Sequence, residues 1–136
     1  MTDILIVGAG PAGLTAAVYA CRAGMQVTVF DKNLYGGQAA ITKDIENFPA
    51  IDNINGADFS HRLYKQALKV GADIRFEEVR SVKLTDNIKT VQTSAGSYQA
   101  RTVILAHGVR RRHLDCPGEM DFLGKGVSYC ATCDGP

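Results

Sequence analysis

Apolar and polar positions follow two different periods along the first part of the chain. A short β-branched run over residues 3–8 (DILIVG) is typical of a buried parallel strand. Apolar residues then recur at helical spacing, at Leu14, Ala17, Val18 and Cys21. The predicted helix begins near Pro11, which a helix tolerates in its first turn, and ends at Gly24. A second strand over residues 26–31 (QVTVFD) completes a predicted βαβ unit that ends in an acid.

A long segment without clear periodicity follows this unit and leads to a second helix. Residues 32–55 have loop character, with Gly36-Gly37 as a turn signal, and a loop of this length in a compact domain is usually functional. An amphipathic helix is predicted over residues 56–70, and residues 73–76 form a third strand. The inward-facing positions of that helix are predicted to be Phe59, Leu63, Ala67 and Leu68.

From residue 79 the pattern changes to short alternating runs. The runs 79–85, 89–93 and 97–100 are separated by turn-forming residues, which is typical of an antiparallel meander. Residues 102–106 (TVILA) again predict a separate buried strand. The fold class predicted is therefore α/β, a Rossmann-like βαβ sheet with a β-meander crossover.

Composition and charge narrow the class of protein. The chain has 136 residues, which is the size of one ordinary domain, and its formal net charge of +1 gives no global attraction to nucleic acid or an anionic membrane. No apolar run approaches the length of about 20 residues that spans a bilayer, and no signal peptide is evident, so we expect a cytoplasmic location. The basic cluster 110–113 (RRRH) is interpreted as a solvated loop, with a phosphate or partner contact as the alternative.

Three glycines mark the junction of the first predicted strand with the first predicted helix. Gly8 permits a tight turn, Gly10 lets the backbone approach a pyrophosphate, and Gly13 lets helix and strand pack closely. Asp31 follows 18 residues after Gly13, where a carboxylate accepts ribose hydroxyl hydrogen bonds. The pattern predicts a bound dinucleotide, and the alternative is a tight turn that binds nothing. It does not separate FAD from NAD, but the following meander favours FAD.

A second motif, Cys130-Ala-Thr-Cys133, lies near the other end of the sequence. Thiolates are nucleophiles, so one cysteine of such a pair can attack a partner's disulfide while the other resolves the mixed disulfide. Asp134 is placed to move a proton to the departing thiolate. The alternative is a zinc knuckle, but zinc takes four ligands and the other candidates form no second pair. Those candidates are Cys21, interpreted as core, Cys116, interpreted as a packing residue, His107 and His113.

With these motifs the chain resembles the N-terminal part of the low-molecular-weight thioredoxin reductases, which are FAD-dependent, NADPH-using disulfide oxidoreductases. The resemblance covers essentially all 136 residues. The matching motifs are GAGPAG (8–13), GGQ (36–38), ENFP (46–49), PGE (117–119) and GVSYCATCDG (126–135). One departure is His107, which stands where the family usually has threonine.

The resemblance implies a division of the chain and a set of site residues. Residues 1–112 would be the N-terminal portion of an FAD-binding domain, and residues 113–136 the truncated start of an NADPH-binding domain that carries the redox cysteines. Cys133 would accept electrons from the flavin, Cys130 would attack thioredoxin's disulfide, and Asp134 would serve as acid and base. No metal site is expected. The cofactor-binding residues implied are Gly8, Gly10, Pro11, Ala12, Gly13, Asp31, Lys32, Asn33, Leu34, Tyr35, Gly36, Gly37, Gln38 and Asn47.

The activity implied is electron transfer from NADPH through FAD to the dithiol and on to thioredoxin or a related disulfide protein, in a family that is typically homodimeric. The alternatives are the flavoprotein reductase of a peroxiredoxin system and an FAD-binding, redox-sensing fragment without turnover. The sequence contains no second GxGxxG or GxGxxA. The NADPH site is therefore expected outside these residues, and the chain is expected to be an incomplete enzyme that is inactive with NADPH.

Overall fold

The computed structural model of the chain describes residues 1–110 and 112–131. The elements in chain order are β1 (Thr2–Val7), α1 (Pro11–Arg22), β2 (Val27–Asp31), α2 (Gly37–Ala40), α3 (Gly56–Lys69), β3 (Asp73–Phe76), β4 (Val79–Lys83), β5 (Lys89–Thr93) and β6 (Ser97–Leu105). None of the described helices is long and apolar enough to cross a membrane.

One sheet joins all these strands, in the order β3-β2-β1-β6-β5-β4. β1 pairs in parallel with β2 and with β6, and β2 pairs in parallel with β3. The other half is antiparallel, with β4 against β5 and β5 against β6. The predicted βαβ unit and the predicted meander are therefore both confirmed, and they share a single sheet.

The last strand differs from its prediction. Residues 97–100 and 102–106 were expected to be separate strands, but 97–105 is one continuous strand, β6. Its first half pairs with β5, and the two strands part after the Lys89–Ala100 pair, while the second half pairs with β1. The prediction of a buried strand over 102–106 is also wrong, since Leu105 is 50% exposed. Among the described strands, only β1 pairs with the second half of β6, which leaves this half less covered.

The sheet carries an apolar core on each face. Helix α1 buries Leu14, Ala17 and Val18, as predicted, against strand residues such as Ile6 and Val29. The other core gathers Leu5 and Phe30 with Val91 and Ala100 of the meander strands. Each fully buried side chain of this kind contributes about 1.5–3 kcal/mol relative to the exposed side chain. These two cores fix the carboxyl ends of β1 and β2, from which the candidate site is built.

Two details of the helices correct the expectations. In α3 the predicted inward residues Phe59 and Ala67 are buried, but Leu68 is 44% exposed, because it lies about 100° around the helix from Ala67. The segment 32–55, predicted to be loop, contains the short helix α2 and an isolated bridge between Ile45 and Ile54. A single helical turn is too short to produce a periodic pattern in the sequence.

Candidate cofactor and dithiol site

The three glycines after β1 have different surroundings. A Cβ atom at Gly13 would lie 1.9 Å from the carbonyl oxygen of Gly8, and one at Gly8 would lie 2.3 Å from that of Ala106. Gly8 also has a φ of 106°, which favours glycine. At Gly10, by contrast, a Cβ would have no described atom within 4 Å. Two of the glycines therefore allow close packing, while Gly10 leaves the loop open on one side.

This open side coincides with the beginning of α1. Gly10 is the N-cap residue, Pro11 follows it, and no side chain of the described residues caps the helix. The first turn of a helix has N–H groups without intrahelical partners, and the helix dipole adds partial positive charge there. The loop and the helix start thus fit the phosphates of a dinucleotide.

Asp31 ties the end of β2 to this loop. Its Oδ2 accepts a hydrogen bond from the backbone N–H of Ala9 (2.8 Å), and its Oδ1 accepts one from the N–H of Asn33 (3.1 Å). An ionised carboxylate offers about four acceptor positions, so it retains capacity for ribose hydroxyls. The residue is therefore both a structural support of the loop and a fitting ribose acceptor.

The Gly36-Gly37 turn packs directly against the first loop. Gly36 donates its N–H to the carbonyl oxygen of Ala9 (2.8 Å), and a Cβ at Gly37 would lie 3.6 Å from the Cα of Gly10. Gly36 has a φ of 102°, and a Cβ there would lie 2.4 Å from the Oγ of Ser60. Two glycine motifs that are far apart in the sequence therefore meet at the amino end of α2.

Three clefts open around α2. The first, of ≈ 850 Å³, is lined by residues 31–35, by Gly37 and Gln38, and by Phe76. The second, of ≈ 320 Å³, shares Gln38 and Ile41 with the first and reaches Arg110, His113 and Tyr129. A third, of ≈ 520 Å³, contains Pro11 and Asn47. The first two are neighbouring clefts with two wall residues in common, and together they extend from Asp31 to Tyr129, the residue directly before Cys130, whereas Asn47 lies in a different cleft from Gln38.

An aromatic group supports the wall of the first cleft. The rings of Tyr35 and Tyr64 are stacked, with centroids 3.9 Å apart and planes at 8°. The Tyr35 hydroxyl lies 2.8 Å from Nδ1 of His61. Among these residues the sequence pointed only to Tyr35, because Tyr64 and His61 lie on α3 and carry no motif.

At the dithiol end, Cys130 is disulfide-bonded. Cys133 and Asp134 lie outside the described residues, as does Arg111 of the basic cluster. Of the other cysteines, Cys21 is partly buried against the core of α1, and this burial raises the pKa of its thiol. Cys116 is exposed, so its interpretation as a packing residue is wrong. Within residues 1–110 and 112–131, no cluster of three His, Cys, Asp or Glu side chains is arranged to hold a metal ion.

Glu119 is a functional candidate to which the sequence analysis gave no role of its own. It is only 4% exposed, and its carboxylate accepts hydrogen bonds from the N–H groups of Leu114 (3.0 Å) and Asp115 (2.8 Å) and from the Tyr129 hydroxyl. These bonds, led by that of Tyr129, lower the pKa of Glu119 to about 2. Its only sequence signal was its place in the PGE motif, after Pro117-Gly118.

This depressed pKa gives a testable pH dependence. A carboxyl whose pKa falls on folding stabilises the folded form above its ordinary value near 4.5 and loses that contribution as the pH falls through about 2. We therefore expect the Glu119 side-chain ¹³C resonance to titrate near pH 2 in the folded chain. In the Glu119→Gln variant the unfolding free energy should differ from wild type more at pH 6 than at pH 2. A midpoint near 4.5 would contradict the network.

Residues 2–136 match the family model "Pyridine nucleotide-disulphide oxidoreductase". Over 135 residues the chain is 47% identical to the thioredoxin reductase of Treponema pallidum, covering 98% of this chain and 44% of that protein. It is also 47% identical over 135 residues to the bifunctional thioredoxin reductase/thioredoxin of Mycobacterium leprae, covering 98% of this chain and 30% of that protein.

The fold agrees with a solved structure. The crystal structure of thioredoxin reductase from Streptococcus pyogenes superimposes with a TM-score of 0.89 at 41% identity, covering 99% of this chain and 44% of that one. The chain thus spans less than half the length of each of these three relatives. On the match of nearly its whole length, the chain belongs to the pyridine nucleotide-disulphide oxidoreductase family.

Proposed function

We propose that this chain forms the flavin-binding and dithiol-bearing part of an FAD-dependent disulfide oxidoreductase that passes electrons from NADPH to thioredoxin. The observation that carries the proposal is the pair of clefts that share Gln38 and Ile41. The first cleft contains Asp31 beside the glycine loop, and the second contains Tyr129, which precedes the disulfide-bonded Cys130. These neighbouring clefts support a dinucleotide site that lies close to a redox-active sulfur.

The glycine loop and the residues around it have distinct tasks in this proposal. The backbone N–H groups at the start of α1 bind the pyrophosphate, Asp31 accepts hydrogen bonds from the adenosine ribose, and Gln38 lies between the two clefts, toward the flavin. When bound, FAD supplies two-electron transfer to a disulfide. Residues 32–37 line the adenosine side, and Asn47 contacts the flavin region from the third cleft.

The dithiol has two chemical roles. The Cys130 thiolate attacks one sulfur of thioredoxin's disulfide, which breaks that disulfide and forms a mixed disulfide. Cys133 then attacks the Cys130 sulfur of that bond and releases thioredoxin with two added electrons and two protons. Asp134 transfers a proton to the leaving thiolate. The cysteine pair ends as a disulfide, which two electrons and two protons restore to the dithiol.

The proposed partner and the proposed compartment have separate support. The Mycobacterium leprae relative carries both thioredoxin reductase and thioredoxin in its name, which supports thioredoxin as the electron acceptor. A dithiol that must return to its reduced form suits the cytoplasm, where thiols are kept reduced.

Cofactor selectivity tests this proposal directly. We expect the purified chain to quench flavin fluorescence on titration with FAD and to bind FAD at least about tenfold more tightly than FMN, which lacks the adenosine that Asp31 would contact. We expect no NADPH consumption with a disulfide substrate, because the sequence holds no second dinucleotide fingerprint. Equal affinity for the two flavins would overturn the assignment of the first cleft. NADPH turnover by the 136-residue chain would overturn the proposal that the NADPH site lies outside these residues.

A further inference from the structure

Tyr129 links the buried Glu119 to Cys130, because its side chain bonds to Glu119 and its backbone is joined to Cys130. An ionised carboxylate has no hydrogen to give, so the Tyr129 hydroxyl donates its single hydrogen to Glu119. The contact of 2.9 Å between that hydroxyl oxygen and Nδ1 of His113 must then have His113 as the donor. The two rings also meet edge to face, with centroids 5.8 Å apart. Tyr129 is thus held from two directions, directly before Cys130.

The backbone of Cys130 is held by its other neighbour. The Cys130 N–H donates to Oγ of Ser128 (2.9 Å), and that hydroxyl donates to the carbonyl oxygen of Cys130 (3.1 Å). These bonds fold residues 128–130 into a local unit. The Tyr129 side chain ties that unit to the buried carboxylate of Glu119.

Glu119 itself is fixed by residues at the start of the segment 114–130, whereas Tyr129 lies near its end. Its carboxylate accepts hydrogen bonds from the N–H groups of Leu114 and Asp115. Asp115 has a φ of 57°, and the hydrogen bond to the carboxylate helps to hold this left-handed conformation. The Glu119 N–H in turn donates to the carbonyl oxygen of Cys116 (3.2 Å). One buried carboxylate therefore joins the start of the segment to the residues before the disulfide.

We propose that Glu119 is a positioning residue for Cys130, acting through Tyr129, and this inference rests on the proposed role of Cys130 in a dithiol. A disulfide closes more readily when the backbone already holds its sulfurs at bonding distance, because less conformational freedom is lost on closure. Loss of the Glu119 anchor should therefore favour the open dithiol over the disulfide.

The test is the equilibrium of the chain with glutathione, in which two glutathione molecules reduce the disulfide to a dithiol and become one oxidised glutathione. After alkylation and trypsin digestion, peptide 126–136 contains Cys130 and Cys133, while Cys116 falls in peptide 113–125. Mass spectrometry of peptide 126–136 gives the dithiol fraction directly. We expect Glu119→Gln to shift the equilibrium about tenfold toward the dithiol, the scale of one coupled hydrogen-bonded pair.

Two matched variants separate position from charge. Asp121→Asn removes an equal charge from an exposed carboxylate of the same segment and should behave as wild type. Tyr129→Phe removes only the hydroxyl and should shift the equilibrium in the same direction as Glu119→Gln, and the double variant should shift it no further than the larger single change. Additive effects, or a shift with Asp121→Asn as large as with Glu119→Gln, would overturn the inference.

Cys21 reports whether the fold survives. It lies on α1, partly buried, and is carried by a third tryptic peptide, 1–22, so its alkylation rate should stay at the wild-type level in every variant. If Glu119→Gln exposes Cys21, Tyr129→Phe decides the question alone, and a wild-type equilibrium in that variant would refute the positioning role. If wild type itself forms no reversible disulfide in peptide 126–136, the proposed function fails instead.

Discussion

Replacing Gly13 with alanine is expected to destabilise the whole chain, by about 3 kcal/mol or more. The added Cβ would lie 1.9 Å from the Gly8 carbonyl oxygen, which is backbone and has no rotamer to adopt. Relief requires α1 to move away from β1, and this opens the core that Leu14 and Val18 share with Ile6. Urea unfolding followed by circular dichroism measures the loss.

Gly10→Ala provides the matched control. It adds the same methyl group three residues earlier, where no described atom lies within 4 Å and the φ of −76° suits any residue. We expect its unfolding free energy to stay within about 1 kcal/mol of wild type, as for a helix-end substitution that loses little more than the glycine cap. FAD affinity should nevertheless fall, because the methyl group occupies the side from which the pyrophosphate approaches. Equal destabilisation by the two alanines would show that the packing of Gly13 is not responsible.

Replacing Asp31 with alanine is expected to lower FAD affinity by about 10-fold to 100-fold, the loss of one to two charge-assisted hydrogen bonds. Part of this loss comes from the missing hydrogen bonds to the ribose. Part comes from a loosened glycine loop, because the Asp31 carboxylate accepts hydrogen bonds from the N–H groups of Ala9 and Asn33. Isothermal titration calorimetry with FAD gives the affinity.

ADP serves as the second ligand in this experiment, since it carries the adenosine and pyrophosphate without the flavin. If Asp31 contacts the ribose, Asp31→Ala should weaken ADP and FAD by the same factor. Asp52→Ala, an exposed carboxylate in the loop before α3, should leave both affinities unchanged. A variant that loses FAD but retains ADP would place Asp31 away from the adenosine.

The elements that the sequence predicted well are those whose pattern is local. Helix α1 begins at Pro11 as expected, because Pro11 and the apolar spacing that follows mark its start locally. β3 matches its predicted bounds of 73–76, in a short run that follows the turn residue Gly71. Local patterns did not predict that the two runs 97–100 and 102–106 form one strand, β6. It depends on pairing with β1, which lies about a hundred residues away in the sequence.

The candidate site likewise contains residues that a local spacing predicts and residues that it does not. The glycine loop and Asp31 were found because a phosphate turn followed by a second strand imposes a fixed spacing. Glu119 was missed as an anchor because its partners lie at irregular distances, at Leu114, Asp115 and Tyr129, in a segment without regular secondary structure. A buried carboxylate in such a segment has no periodic signature. Only the folded arrangement reveals it.

The pairing of β6 with β1 also has a consequence for how the chain is made. β1 is synthesised before β6, so one of its edges waits for residues 100–105. At a translation rate of about 5–20 residues per second, that edge stays open for roughly 5–20 seconds on the ribosome. An apolar strand with an unpaired edge is a template for aggregation. The nascent chain is therefore expected to be a client of ribosome-associated chaperones until β6 emerges.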